Sequence, residues 1–131
     1  AIVFAAWALL FVRRSKGVAW ARSLGAVLAV TYSVLFLLSL NQASVLSREY
    51  NLAGIAAFFS ISDLALAGWI HYLVFDLWVG TWEVEEADRT GMSAAPIYLS
   101  LVLTCIAGPL GLAAFLMMRV FTNTGNEEFR S

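Results

Sequence analysis

"AGWIHYLVFDLWVGTWEVEEAD", residues 67–88, decides how this chain is read. Its first sixteen residues are apolar and aromatic like a membrane helix, yet they hold the only histidine, His71, and a carboxylate, Asp76. A carboxylate at the centre of a membrane helix costs roughly 2.5–3.5 kcal/mol on insertion scales, so such groups normally face a bundle interior and have partners. At about 100° per residue, His71 and Asp76 differ by about 140° and point to different sides of one helix. Trp69, Asp76 and Glu83 share one stripe, and His71 and Trp78 another. Asp63, earlier in the same apolar run, lies about 80° and some 12 Å from His71. The spacing gives no Asp–His dyad within this helix. Each polar group needs a partner from another helix or from a ligand.

The rest of the chain agrees with a membrane setting. Of 131 residues, 61% are hydrophobic and 13% charged, against roughly a quarter charged for a soluble domain. Mean hydropathy is +0.81. A length of 131 residues suggests one domain. A net charge of -1 leaves no basic footprint for nucleic acid. Cys105 is the sole cysteine, which excludes an internal disulfide, and one histidine with one cysteine cannot supply a usual zinc site.

Four helices are expected, making an all-α bundle in a single membrane domain. Residues 1–12 are an unbroken apolar run, shorter than the roughly twenty residues a span needs. They read as the C-terminal part of a first helix truncated at its N-terminus. Arg13, Arg14 and Lys16 make a basic turn, and residues 18–40 form the second span. Arg22, near its start, can snorkel to the interface. Residues 41–51 are a polar loop, and residues 52–82 form a long third span that puts Asp63 near its middle. Glu83, Glu85, Glu86, Asp88 and Arg89 read as an acidic loop. The fourth helix spans residues 95–118, opening at Pro96, and residues 119–131 are a polar tail. No stretch alternates long enough to suggest a barrel strand. With these spans, five basic residues (Arg13, Arg14, Lys16, Arg22, Arg89) lie on one side and three (Arg48, Arg119, Arg130) on the other. The first loop is then expected to face the cytoplasm, or the stroma of a plastid.

Several residues could carry chemistry. His71, Asp76 and Asp63 are the titratable groups expected inside the membrane. Thr31, Tyr32, Ser33, Tyr98, Ser100 and Thr104 are candidate hydroxyl partners on neighbouring helices, and Arg22 or Arg48 could pair Asp76. The bland reading of His71 is a neutral imidazole bonded across helices. The sharper ones are a proton donor or acceptor, or a single axial ligand to chlorophyll magnesium. In "CIAGPLGLAAF", residues 105–115, Pro109 frees the carbonyl of Cys105 and kinks the helix. Gly108 and Gly111 remove bulk beside it, which suits close helix packing or the entry of a flat polyene or porphyrin. Trp69 and Trp78 could flank such a pigment, or sit in interfacial belts.

The run "WIHYLVFDLWVGTW", residues 69–82, followed by "GPLGL", residues 108–112, and Arg119, resembles the membrane family of the plant abscisic-acid-deficiency protein, the neoxanthin synthase-like family. Its members carry a similar H-x-x-x-F-D-L-x-x-G run and a later GP-x-G in the last helix. The turn after "VGTW" is unusually acidic in this chain. The resemblance implies a plastid membrane, thylakoid or envelope, and a link to xanthophylls. It implies an enzyme that isomerises an epoxy-carotenoid: the epoxide opens to an alcohol, a neighbouring chain carbon loses a proton, and an allene forms. Acid and base suffice for this, and no cofactor is required in principle. His71, Asp76 and, in reserve, Asp63 are then the catalytic candidates. The alternative is a non-catalytic subunit of a photosystem or light-harvesting complex. There His71 ligates chlorophyll magnesium, and carotenoid or chlorophyll is held by His71, Trp69, Trp78, Gly108, Pro109 and Gly111. A small transporter ranks last, because no inverted repeat is visible.

Overall fold

The computed structural model describes residues 2–12, 14–39 and 51–128. Among them there is no strand, and five helices follow one another: α1 (Ile2–Val12), α2 (Arg14–Ser39), α3 (Leu52–Ser60), α4 (Ser62–Thr90) and α5 (Ala94–Glu128). By length and composition three segments could cross a membrane: Lys16–Ser39, Ser62–Thr90 and Ala94–Phe121. The expected loop 41–51 lies outside the described residues except for Asn51, which caps α3 by accepting a 2.9 Å hydrogen bond from the Gly54 N–H. The chain divides into two compact units: Ala1–Leu24 with Asp76–Ser131, and Gly25–Phe75.

The expected third span, residues 52–82, is not one helix. Ile61 is extended (φ −84, ψ 118) and separates α3 from α4. The Ser60 hydroxyl donates to the Ala57 carbonyl at 2.6 Å and the Ile61 N–H to Phe58 at 3.3 Å, so α3 closes on its own last turn. The Phe59 ring then lies against Gly68 of α4. Asp63 therefore does not sit mid-span. It stands exposed in the first turn of α4, where free N–H groups and the helix dipole favour a carboxylate.

The expected acidic loop is helix as well. α4 continues through Glu83, Glu85, Glu86, Asp88 and Arg89 to Thr90. These acids stay helical because two of them are buried against basic or hydroxyl partners, described below. The helix stops at Gly91, whose φ of 67 places it in the left-handed region that favours glycine. The Met92 N–H bonds back to Ala87 at 3.0 Å, and both side chains are buried. This is the six-to-one closure of a Schellman end.

The fourth expected helix doubles back. α5 carries one non-helical residue, Ala107 (φ −148, ψ 70), followed by Gly108 and Pro109. In a straight helix residues 104 and 111 would stand about 10.5 Å apart along the axis. Instead a side chain at Gly111 would collide with the backbone and hydroxyl of Thr104. Phe115 meets Trp82 edge-on at 5.3 Å, and Arg119 reaches Glu86 at 2.6 Å. The two legs, residues 94–106 and 108–128, are thus an antiparallel pair packed along the end of α4. The first leg is about 20 Å long, less than the roughly 30 Å hydrocarbon thickness.

This reversal revises two expectations. Pro109 is not a kink in mid-helix. It lies in the opening turn of the second leg, where its missing N–H leaves no bond unmade and its ring presets the helical φ. Arg119 does not lie opposite Arg89 in the bundle, because both bind Glu86.

The first unit has the larger core: Trp7, Leu10, Val18, Leu77, Val84, Ile97, Leu101 and Phe115 are buried together. α1 joins it by packing Trp7 on Gly80 and stacking Phe11 on Tyr98 at 5.9 Å. Gly17 lets α2 start against the backbone of Leu9, since any side chain there would meet the Leu9 carbonyl. In the second unit α3 buries no residue, and Leu64 and Ala67 of α4 are its buried apolar residues among those described. Val27, Val30, Val34, Leu37, Leu66 and Trp69 are exposed there, as suits helices facing lipid.

Candidate functional site

Two constellations stand out, one in each unit. In the first, α4 presents a row of acids, Asp76, Glu83 and Glu86, all buried. Asp76 and Glu83 are the stripe expected from their seven-residue spacing. Glu83 is fully buried and accepts a 2.7 Å hydrogen bond from the Thr104 hydroxyl. Its second oxygen has no hydrogen-bond partner among the described residues. Ser100, one turn earlier on the same leg, donates to the Ile97 carbonyl at 2.9 Å. Glu86 is gripped from both sides: Arg89 approaches through Nε at 2.8 Å and Nη2 at 2.6 Å, and Arg119 through Nη2 at 2.6 Å. Asp76 sits against Gly108, so its carboxylate occupies the space a side chain there would need. That is the start of the second leg of α5, where a carboxylate is favoured by the helix dipole.

These contacts hold the hairpin. An acid–arginine cluster can tie the far end of the second leg to α4 only if the leg returns. The 2.6 Å pair between Arg22 and Glu85 is different: both side chains are about two-fifths exposed, at 40% and 44%, so solvent screens it. The Arg22 guanidinium also lies 5.4 Å from the centre of the Trp78 ring. Arg22, one of the two arginines that could pair Asp76, pairs with Glu85. Arg48 lies outside the described residues. Among those described, no group of His, Cys, Asp and Glu could hold a metal ion.

The second constellation surrounds His71. Its ring meets Phe75 at 4.6 Å and Tyr32 of α2 at 5.4 Å, and Tyr32 stacks on Phe36 at 5.6 Å. Two cavities share this pair. One, of about 280 Å³, is lined by Tyr32, His71, Ala29, Ser33, Val74 and Phe75. The other, of about 230 Å³, runs from Tyr32 and His71 to Phe36, Phe58, Phe59 and Gly68. Tyr32 and His71 form the saddle between them. The lining is otherwise almost wholly apolar, and the Ser33 hydroxyl is turned to the Ala29 carbonyl at 2.9 Å. The Tyr32 hydroxyl and the His71 nitrogens have no hydrogen-bond partner among the described residues.

The structure separates the residues singled out in the sequence. His71 is exposed in the groove, Asp76 is buried against Gly108, and Asp63 is exposed at the start of α4. Trp69 is exposed and stacks on Tyr72 at 5.9 Å, away from the groove lining, and Trp78 packs under Arg22. The space beside Gly108 and Gly111 is filled by Asp76 and Thr104, and Pro109 is exposed. The charge run at 83–89 suggests a loop, which masks the burial of Glu83 and Glu86. Gly68, three residues before His71, and the Phe58–Phe59 pair were the unread signals of the groove.

Helices long and apolar enough to cross a membrane, an acid–arginine cluster that joins two of them, and an aromatic groove around one histidine define an α-helical protein of the membrane class. It belongs to the ABA4-like family: the family model described as ABA DEFICIENT 4-like matches residues 1–115. Comparison with curated proteins and with solved structures gave no significant match.

Proposed function

We propose that this chain is an integral membrane protein of xanthophyll metabolism that binds an epoxy-carotenoid along the His71 groove and isomerises it, as in neoxanthin synthesis. The observation that carries the reading is the groove itself. The one histidine stands exposed between Tyr32 and Phe75, in an apolar and aromatic channel on helices of membrane length. Aromatic faces suit a rigid polyene, which reaches such a site from the bilayer. The family membership supports the same reading. In the reaction the epoxide C–O bond breaks and its oxygen gains a proton. A neighbouring chain carbon loses a proton, and its electron pair forms the new double bond of the allene. His71 takes that proton as base. A plastid thylakoid or envelope is the membrane this chemistry calls for.

The exposure of His71 favours one second reading: a pigment-holding subunit of a photosynthetic complex, in which the imidazole ligates chlorophyll magnesium. Purification of the full chain in mild detergent separates the two. The first reading predicts conversion of added violaxanthin to an allenic isomer, lost in His71→Leu with folding intact. Absence of turnover with any epoxy-xanthophyll, together with stoichiometric chlorophyll that His71→Leu releases, would establish the second in its place.

A further inference from the structure

We infer that Tyr32 is the acid of the site, paired with His71 as base. The inference rests on the isomerase reading above and adds a second catalytic residue to it. Opening an epoxide in a membrane groove needs a proton delivered to the departing oxygen, since no water surrounds it to do so. Asp76 is buried against Gly108 and Asp63 stands at the start of α4, and neither is among the residues that line the two cavities. Tyr32 is the hydroxyl that shares both cavities with His71, at 5.4 Å between ring centres. Its O–H is not consumed by another hydrogen bond among the described residues, whereas the Ser33 hydroxyl is. Its ring is fixed by stacking on Phe36, which leaves the hydroxyl as the group that can meet a ligand.

The proton balance closes within the pair. Tyr32 gives its proton to the epoxide oxygen as the C–O bond breaks. His71 removes the proton from the chain carbon as the allene forms. A tyrosinate and an imidazolium then face each other, and transfer of one proton, directly or through one water, restores both for the next turnover. No proton is consumed and no redox partner enters, as an isomerisation demands.

The test uses the full chain in detergent micelles with violaxanthin as probe. Tyr32→Phe keeps the ring and its contacts with Phe36 and His71. It is expected to bind the probe as the parent does, with kcat lowered by roughly 10²–10⁴-fold, the range for a lost general acid. Tyr98→Phe, whose ring stacks on Phe11 outside the groove, keeps the parental rate. Parental turnover in Tyr32→Phe overturns the inference while the isomerase reading stands. Loss of binding and turnover together in Tyr32→Phe makes the residue structural and also overturns it. A parent protein that binds violaxanthin without turning it over overturns the isomerase reading itself.

Discussion

Replacing Gly111 by alanine tests the reversal of α5. In an ordinary helix this change is favourable, because alanine exceeds glycine in helix propensity by about 0.8–1.0 kcal/mol. In this fold the added methyl meets the backbone nitrogen and Cα of Thr104. Backbone on the facing leg cannot swing aside, so the legs must part. Overpacking of that kind costs about 1–3 kcal/mol. Once the propensity gain is subtracted, a net destabilisation of up to about 2 kcal/mol is expected, in place of the gain an ordinary helix would show. That lowers an apparent Tm by up to roughly 8 °C for a chain of this size. Gly108→Ala meets the Asp76 carboxylate, a side-chain end, so Asp76→Ala should relieve it. No truncation of the Thr104 side chain should relieve Gly111→Ala. Thermal unfolding in detergent reads the sign. Spin labels at Leu99 and Leu116, both exposed, read the geometry: about 26 Å apart in a straight helix, about 10 Å across a packed pair. A stabilised Gly111→Ala with the labels at the longer distance would refute the hairpin.

Four further outcomes follow from the seam that holds this hairpin. Thr104→Val leaves a buried Glu83 oxygen without its donor and should cost about 1–3 kcal/mol in chemical unfolding, while Thr104→Ser stays near the parent. Combining Thr104→Val with Glu83→Met should recover much of that loss, because neither polar group is then orphaned. Arg119→Met should lower the apparent Tm more than Arg89→Met: Arg119 joins the second leg to α4, whereas Arg89 reaches Glu86 within its own helix from a largely exposed position. Pro109→Ala should leave the spin-label distance short, because the reversal lies at Ala107 and is held by Thr104, Phe115 and Arg119. A long distance in that variant would make the proline the cause of the bend.

Much of the protein is legible in local sequence. Hydrophobic content and the lengths of the apolar runs announce membrane helices, because the cost of an unpaired backbone in lipid admits little else. The angular divergence of His71 and Asp76 is legible too, since it depends only on helical periodicity. So is the shared stripe of Asp76 and Glu83, although its continuation in a helix was not. Charge density argued for a loop at 83–89, and only the arrival of Thr104 and Arg119 from α5 makes burial of Glu83 and Glu86 affordable there.

The sequence by itself determined an all-helical chain of the membrane class, the membership signalled by residues 69–82 and 108–112, and the two faces of α4. Tertiary structure decided that α5 turns back at Ala107, that Gly108 and Gly111 are occupied by the protein's own atoms, and that Tyr32 joins His71 in one groove. The reason is physical. Periodicity and hydropathy are properties of one segment, whereas a reversal and a groove depend on which distant side chains fill the same space.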